Sequence, residues 1–132
     1  MELVKVAKEI QDKVRLLVAG RKILKHRAKA KADAIGEHKK ELAKTLMQLR
    51  NGVEFELEGV KIKNPPASYC REIADGLCWK TRVEMELQEA MYKNAIEGMD
   101  SIKAEMNGYQ SIFRYLDEVE KEQKKGTSPP EW

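Results

Sequence analysis

The hydrophobic positions between residues 2 and 50 follow a helical period that no proline interrupts. Apolar residues recur every seven positions in two offset series, which is the spacing of a coiled-coil seam. One series is Ala7, Val14, Arg21, Ala28, Ile35, Leu42 and Leu49, and the other is Leu3, Ile10, Leu17 and Leu24. The second series then meets Lys31, His38 and Thr45, where we expect it to fail. We expect the seam to be strong at both ends and thin in the middle, where the basic residues cluster. Because Gly20 and Gly36 flank this middle stretch, and glycine costs about 1 kcal/mol relative to alanine in a helix, a bend or a break is expected there.

The period changes after Arg50. Asn51-Gly52 is expected to end the first helix, with glycine as its left-handed cap. Apolar residues then alternate with glutamates over 53–58 and with lysines over 60–63. Two alternating runs around a Glu58-Gly59 turn predict a β-hairpin at about 53–63, in which acidic side chains face basic ones.

The second half of the chain returns to a helical period. Pro65-Pro66 predicts an extended linker, and Ala67–Asp75 suits a short helix capped by Gly76. A second long helix is expected from about Lys80 to Lys124. Its two heptad series are Met85, Tyr92, Met99, Met106 and Phe113, and Gln88, Ala95, Ile102, Tyr109 and Leu116.

These elements predict a mainly α fold, in which a long antiparallel helical hairpin of coiled-coil type carries a small β-hairpin insert between its helices. We expect one helical domain over 1–125, followed by a disordered tail over 126–132, where two adjacent prolines stand without periodicity. The apolar stripe of the second long helix exceeds what one helix with a polar gap can cover, so a homo-oligomer is expected. Its predicted interface residues are Met85, Tyr92, Met99, Met106, Tyr109 and Phe113.

Charge is distributed unevenly along the chain. Residues 1–50 hold 14 Lys and Arg against 6 Asp and Glu, a balance of +8, while residues 51–132 hold 11 against 16, a balance of −5. Between Lys13 and Ala32 there are eight basic residues and no acidic one. Such a helix repels itself, so a polyanion is its natural stabilising partner.

Three partners could neutralise this basic arm: nucleic acid, the acidic second half of the same or a neighbouring subunit, or an acidic protein surface. Basic residues on successive helical turns present a charge roughly every 5 Å, which is comparable with the phosphate spacing of a nucleic-acid strand. The predicted contact residues are Arg21, Lys22, Lys25, Arg27, Lys29, Lys31, Lys39, Lys40 and Lys44. Tyr69, Phe55 and Trp79, in or near the insert, could stack a base or pack the hairpin.

No constellation for catalysis is present in the sequence. Cys70 and Cys78 fit no metal-binding spacing, and we expect two buried thiols. His26 and His38 lie twelve residues apart without further ligands at metal-site spacing. There is no glycine-rich phosphate loop or nucleophile motif. We therefore expect no enzyme, no metal and no cofactor. The chain has neither a signal-peptide core nor an apolar run of membrane-spanning length, so no membrane is expected as a partner.

Two stretches carry a family resemblance. The sequences EHKKELAKTLMQLRNG (37–52) and MDSIKAEMNGYQSIFRYLDEVE (99–120) resemble the UvsY-like recombination mediators of tailed phages. Lys39, Lys40 and Lys44 match lysines of the family's basic helix. In the second stretch the matching positions are Ile102, Lys103, Ile112 and Leu116. Leu46 stands where the family has an arginine for DNA contact, and the family has no equivalent of the hairpin.

The resemblance implies small helical proteins that oligomerise into rings, bind single-stranded DNA and help to load a recombinase. Our first hypothesis is thus a non-enzymatic, oligomeric single-stranded nucleic-acid-binding protein, phage-encoded, acting in recombination or replication in the cytoplasm of a bacterial host. The alternative is a small phage-encoded interaction protein that inhibits a host anti-viral defence factor. Such an inhibitor should present a mixed hydrophobic and charged patch near Phe55 and Trp79.

Overall fold

The computed structural model describes residues 2–126, and the side chains of residues 2–124. It is mainly helical (85%), with three α-helices and one two-stranded antiparallel sheet in this part of the chain. The elements are α1 (Leu3–Arg50), β1 (Phe55–Leu57), β2 (Val60–Ile62), α2 (Cys70–Leu77) and α3 (Trp79–Gly126), with a 3-10 turn at Ala67–Tyr69. The predicted helical class and hairpin insert are confirmed. The predicted disordered tail begins at the last residue of α3 and otherwise lies outside the described residues.

The chain divides into two compact units. Among the described residues, the first combines 2–24 with 94–126, and the second contains 25–93. In the first unit, Lys13 pairs with Glu105, and Gly20 faces Met99. In the second unit, the contacts between α1 and α3 run from Arg27–Met91 to His38–Thr81. Within each unit the two helical segments are therefore antiparallel.

α1 runs without interruption through Gly20 and Gly36, so it does not break at either glycine. Its end is the predicted left-handed glycine cap. Gly52 has φ +80°, its N–H donates to the carbonyl of Leu49 at 3.2 Å, and the N–H of Val53 donates to the carbonyl of Gln48 at 3.0 Å. This is the Schellman arrangement, which satisfies the last carbonyl groups of a helix.

The β-hairpin has the predicted position and charge pairing. Phe55 pairs with Ile62, and Glu56 pairs with Lys61 across the strands. Glu58 and Gly59 both have positive φ, 50° and 81°, which a two-residue turn matched to the strand twist requires. The hairpin packs on α2, because the Cδ2 atom of Leu57 lies 3.9 Å from where a Cβ atom on Gly76 would be.

The predicted glycine cap at Gly76 is wrong, because α2 continues through this residue to Leu77. Three small side chains form a buried row along α2 and its end: Cys70, Ala74 and Cys78 follow one another at four-residue spacing and are 2%, 0% and 7% exposed. This narrow face packs closely in the second unit. α3 begins directly afterwards at Trp79, close to the predicted start.

The seam of α1 differs from the prediction. The series that begins with Leu3 continues through the positions where it was expected to fail: Lys31 is half-buried, and His38 and Thr45 are 8% and 7% exposed. In the other series the middle is exposed, with Val14 at 47%. The reason is that each of these polar residues has a partner in the second unit: Lys31 contacts the Tyr92 ring, His38 contacts Thr81, and Thr45 contacts Cys78 at the junction of α2 and α3. The two series predicted for α3 are both half-buried or buried along their length.

Candidate nucleic-acid interface

Seven of the nine predicted contact residues lie on the surface. In the first unit these are Arg21 and Lys22, and in the second unit they are Lys25, Lys29, Lys39, Lys40 and Lys44. All seven belong to α1. In the second unit, Lys25 and Lys29 are four residues apart, which places them on one side of the helix. Lys40 and Lys44, nearer the end of α1, are also four residues apart and share one side of the helix.

None of these seven cations is neutralised within residues 2–124. The ion pair between α1 and α3 in this range is Lys13–Glu105, and the others join residues three or four apart on the same helix, such as Arg82–Glu86 at 3.3 Å. A hydrogen bond to Glu105 is the main cause that raises the pKa of Lys13. The acidic residues of α3 therefore leave the basic surface of α1 open to solvent.

The other two predicted contact residues face α3. The Nη1 atom of Arg27 lies 3.8 Å from the sulfur of Met91. The ammonium group of Lys31 lies 4.8 Å from the centroid of the Tyr92 ring, at the distance of a cation–π contact. Both side chains are half-buried. The structure thus does not bring Arg27 and Lys31 to the surface formed by the other basic residues, and they serve the packing of the second unit.

Hydrogen bonds hold α1 against the start of α3 and the preceding Cys78, beside Lys39, Lys40 and Lys44. The Nδ1 atom of His38 lies 2.9 Å from the Oγ1 atom of Thr81, and Thr81 donates to the carbonyl of Cys78 at 3.0 Å. The thiol of Cys78 in turn contacts the hydroxyl of Thr45 at 3.3 Å. Because His38 and Thr45 bracket the Lys39–Lys44 stretch, these bonds fix which way its exposed side of α1 faces.

The predicted contact residues leave out Lys8 and Arg15, which are exposed basic residues of α1 in the first unit. Lys8 and Arg15 stand fourteen and seven residues before Lys22, so they share its heptad position, which lies outside the seam positions. Both are exposed, and Arg15 lies 3.7 Å from Asp12. Their seven-residue spacing to Lys22 is the sequence signal that identifies them, whereas local charge density does not select Lys8, which lies outside the basic window from Lys13 to Ala32.

The predicted oligomer-interface residues all lie on the inward-facing series of α3. Met99 is 8% exposed, and its Cγ atom is 3.2 Å from where a Cβ atom on Gly20 would be. Tyr92 contacts Lys31. The others, Met85, Met106, Tyr109 and Phe113, are half-buried. Each unit covers much of this stripe with its own segment of α1.

An open cleft of about 490 Å³ lies in the second unit, beside the hairpin. Half-buried Phe55 and Leu77 supply its apolar lining, and Thr45, Cys78 and Thr81 lie on its helical side. The remaining lining residues are charged or carry an amide: Glu41, Lys44, Gln48, Glu56 and Lys80. Lys44 therefore belongs both to the cleft and to the exposed basic residues.

Three large apolar side chains form an exposed ridge on α3. Trp79, Val83 and Leu87 follow one another at four-residue spacing and are 52%, 53% and 50% exposed. Lys80 lies 5.7 Å from the Trp79 ring centroid. We call this row the Trp79–Leu87 ridge. It is separate from the inward-facing series of the same helix, which begins at Met85.

The part of the chain that the structure describes contains no cluster of three His, Cys, Asp or Glu residues suited to a metal ion. None of its helices combines the length and the apolar character needed to cross a membrane. A scan against protein-family models, a search of curated proteins and a search of solved structures each found no match.

Proposed function

We propose that this chain is a non-enzymatic protein that binds single-stranded nucleic acid through the phosphate backbone. The observation that carries the proposal is the set of seven exposed basic residues on α1, none of them ion-paired within residues 2–124. Exposed cations on successive helical turns release counterions from a polyanion, which supplies affinity with little sequence preference. If the seven basic residues served to pair with the chain's own acidic half, they would form ion pairs with α3. The ion pair between α1 and α3 within residues 2–124 is Lys13–Glu105, and Lys13 is not one of the seven.

The finer proposal is a homo-oligomer, encoded by a phage, that acts in recombination or replication in a bacterial cytoplasm and cooperates with a recombinase. It rests on the resemblance of residues 37–52 and 99–120 to the UvsY-like mediators. Lys39, Lys40 and Lys44 are exposed, as contact residues must be. Leu46 is half-buried, so an arginine there would not share their surface.

A titration of a labelled single-stranded oligonucleotide, followed by fluorescence anisotropy, tests the binding proposal. The logarithm of the affinity should fall linearly with the logarithm of the salt concentration, with a slope of about −0.7 for each phosphate neutralised. Oligonucleotides of different sequence and equal length should bind alike. Absence of binding at about 50 mM salt, or binding that is indifferent to salt, would rule the proposal out.

The Trp79–Leu87 ridge favours a second candidate function, that of an interaction protein that blocks a host defence factor. Three half-exposed apolar side chains in a row, with Lys80 beside them, provide an aromatic and aliphatic anchor of the kind that protein interfaces use. In this function the ridge contacts the host protein, and the basic residues of α1 are solubilising or steer association.

A pulldown from bacterial lysate, with and without nuclease, separates the two functions. Capture of one protein that persists after nuclease treatment, and that Val83→Lys with Leu87→Lys abolishes, would support the interaction protein. Recovery that disappears with nuclease and survives the ridge substitutions supports nucleic-acid binding. Lys25→Glu with Lys29→Glu is the reciprocal control, since it changes the basic surface and leaves the ridge intact.

A further inference from the structure

We infer that the cleft beside the hairpin receives a nucleobase of the bound single strand, with Phe55 as the stacking surface. The inference rests on the proposed function and deepens it from phosphate contact to base contact. Its starting point is Lys44, which is exposed on α1 and also lines the cleft. A strand whose phosphate contacts Lys44 has its adjacent base within reach of the cleft.

The size and the lining of the cleft suit a flat, neutral, polar-edged ring. A volume of about 490 Å³ lies in the range of small-molecule sites. The exposed part of Phe55 and the side chain of Leu77 provide the apolar surface on which a base could stack. Stacking on an aromatic side chain tolerates every base, because each has a π-face. This matches a protein whose phosphate contacts also carry no sequence preference.

The charges around the cleft favour the base and exclude the phosphate from its interior. Glu41 and Glu56 offset Lys44 and Lys80, so the four charged side chains of the lining sum to zero. Carboxylates repel phosphates, but they accept hydrogen bonds from the amino and imino groups of bases. We therefore expect the base to enter and the phosphates to stay outside, at Lys44 and the neighbouring Lys40.

Unpartnered hydrogen-bonding groups are already present on the wall. Within residues 2–124, the amide of Gln48 makes no side-chain hydrogen bond, and the ammonium of Lys44 makes no ion pair. An amide offers both a donor and an acceptor to a base edge. The hydroxyls of Thr45 and Thr81, by contrast, already contact Cys78 and His38, so these two residues form the wall of the cleft and do not bind the base.

The experiment compares an oligothymidylate with an abasic oligodeoxyribose phosphate of the same length, by anisotropy at one salt concentration. The wild-type protein should bind the base-containing strand roughly tenfold more tightly, with equal salt slopes for the two strands. Equal affinities would overturn the base site and leave the phosphate-binding proposal standing. Absence of binding to either strand would remove both proposals.

Variants of Phe55 assign the preference to the cleft. Phe55→Leu should lower the affinity for the oligothymidylate roughly tenfold and leave the affinity for the abasic strand unchanged, whereas Phe55→Tyr should keep both. Val60→Ala is the matched control, because Val60 is an exposed hairpin residue outside the lining. An unchanged preference in Phe55→Leu, or the same loss in Val60→Ala, would contradict the inference. Circular dichroism checks that each variant is folded. If a variant does not fold, the comparison of the two strands with the wild-type protein still tests the base site.

Discussion

The Nδ1 atom of His38 lies 2.9 Å from the Oγ1 atom of Thr81 in the second unit. The Thr81 hydroxyl has one proton, and it donates that proton to the carbonyl of Cys78 at 3.0 Å. With that proton given to the carbonyl, Oγ1 serves as the acceptor of a hydrogen bond from the Nδ1–H of His38. A buried histidine thus helps to hold α1 against α3 next to Lys39 and Lys40.

Thr81→Val should destabilise the fold by about 1–3 kcal/mol. The substitution keeps the shape of the side chain but removes the Thr81 hydroxyl, which bonds both His38 and the Cys78 carbonyl. Because His38 is 8% exposed, it would lose its partner where water has little access. Urea denaturation gives the difference in free energy of unfolding. Ser101→Ala, an exposed hydroxyl on the same helix, should change it little. Equal effects of the two substitutions would show that the His38 contact contributes nothing.

The Lys13–Glu105 pair should stabilise the first unit in a pH-dependent way. The hydrogen bond raises the pKa of Lys13 above the ordinary value of 10.5, so its contribution is fully present below that pH and is lost as the pH rises through the folded-state pKa. Glu105→Gln should lower the urea midpoint at neutral pH, and the difference from the wild type should shrink in alkaline solution.

Glu86→Gln is the control for this pair. Arg82 and Glu86 are both more than half exposed, and exposed pairs contribute little. If the urea midpoint fell equally at every pH in Glu105→Gln, or fell by the same amount in Glu86→Gln, the Lys13–Glu105 pair would contribute no more to stability than an exposed pair.

The two mid-helix glycines of α1 should respond differently to alanine. Both substitutions gain helix propensity, worth about 1 kcal/mol. A Cβ atom on Gly36 meets nothing within 4 Å, whereas one on Gly20 comes within 3.2 Å of Met99. Gly36→Ala should therefore raise the melting temperature, and Gly20→Ala should raise it less or lower it. A larger gain at Gly20 would contradict the close packing on Met99.

The sequence predicts the parts of the fold that rest on apolar periodicity or on local turn residues, and it does not predict where polar side chains are buried. The seam of α3 was predicted because its residues are apolar at heptad spacing, and the hairpin because alternation and a glycine turn are local signals. The seam of α1 was misjudged at Lys31, His38 and Thr45. A hydrophobic pattern cannot show that a polar side chain is buried with a partner 43 residues away, as His38 is with Thr81.

The candidate site shows the same limit. Charge density predicted the basic surface, of which seven members are exposed. It could not separate these from Arg27 and Lys31, because burial of those two depends on Met91 and Tyr92 on another helix. The cleft could not be predicted at all, since its lining comes from α1, the hairpin and the junction of α2 with α3.

Assembly is tested by light scattering at micromolar concentration, where the proposed homo-oligomer should exceed the 15.2 kDa of one chain. Phe113→Asp should dissociate it while much of the helicity by circular dichroism remains. Tyr115→Asp is the matched control, because Tyr115 lies off the predicted interface and is 66% exposed. A wild-type mass of one chain would refute the oligomer, and dissociation by both substitutions would refute the role of Phe113.

The most direct test of the central claim is the salt dependence of oligonucleotide binding in Lys25→Glu with Lys29→Glu. Both lysines are exposed and without ion pairs in the described residues, so the melting temperature should barely change. The affinity should fall, and the salt slope should become shallower by about 1.4, the equivalent of two phosphate contacts. Lys93→Glu with Lys103→Glu, exposed on α3, carries the same net charge change and should leave the slope intact. A wild-type slope in the α1 variant, or the same loss in both variants, would contradict binding through α1.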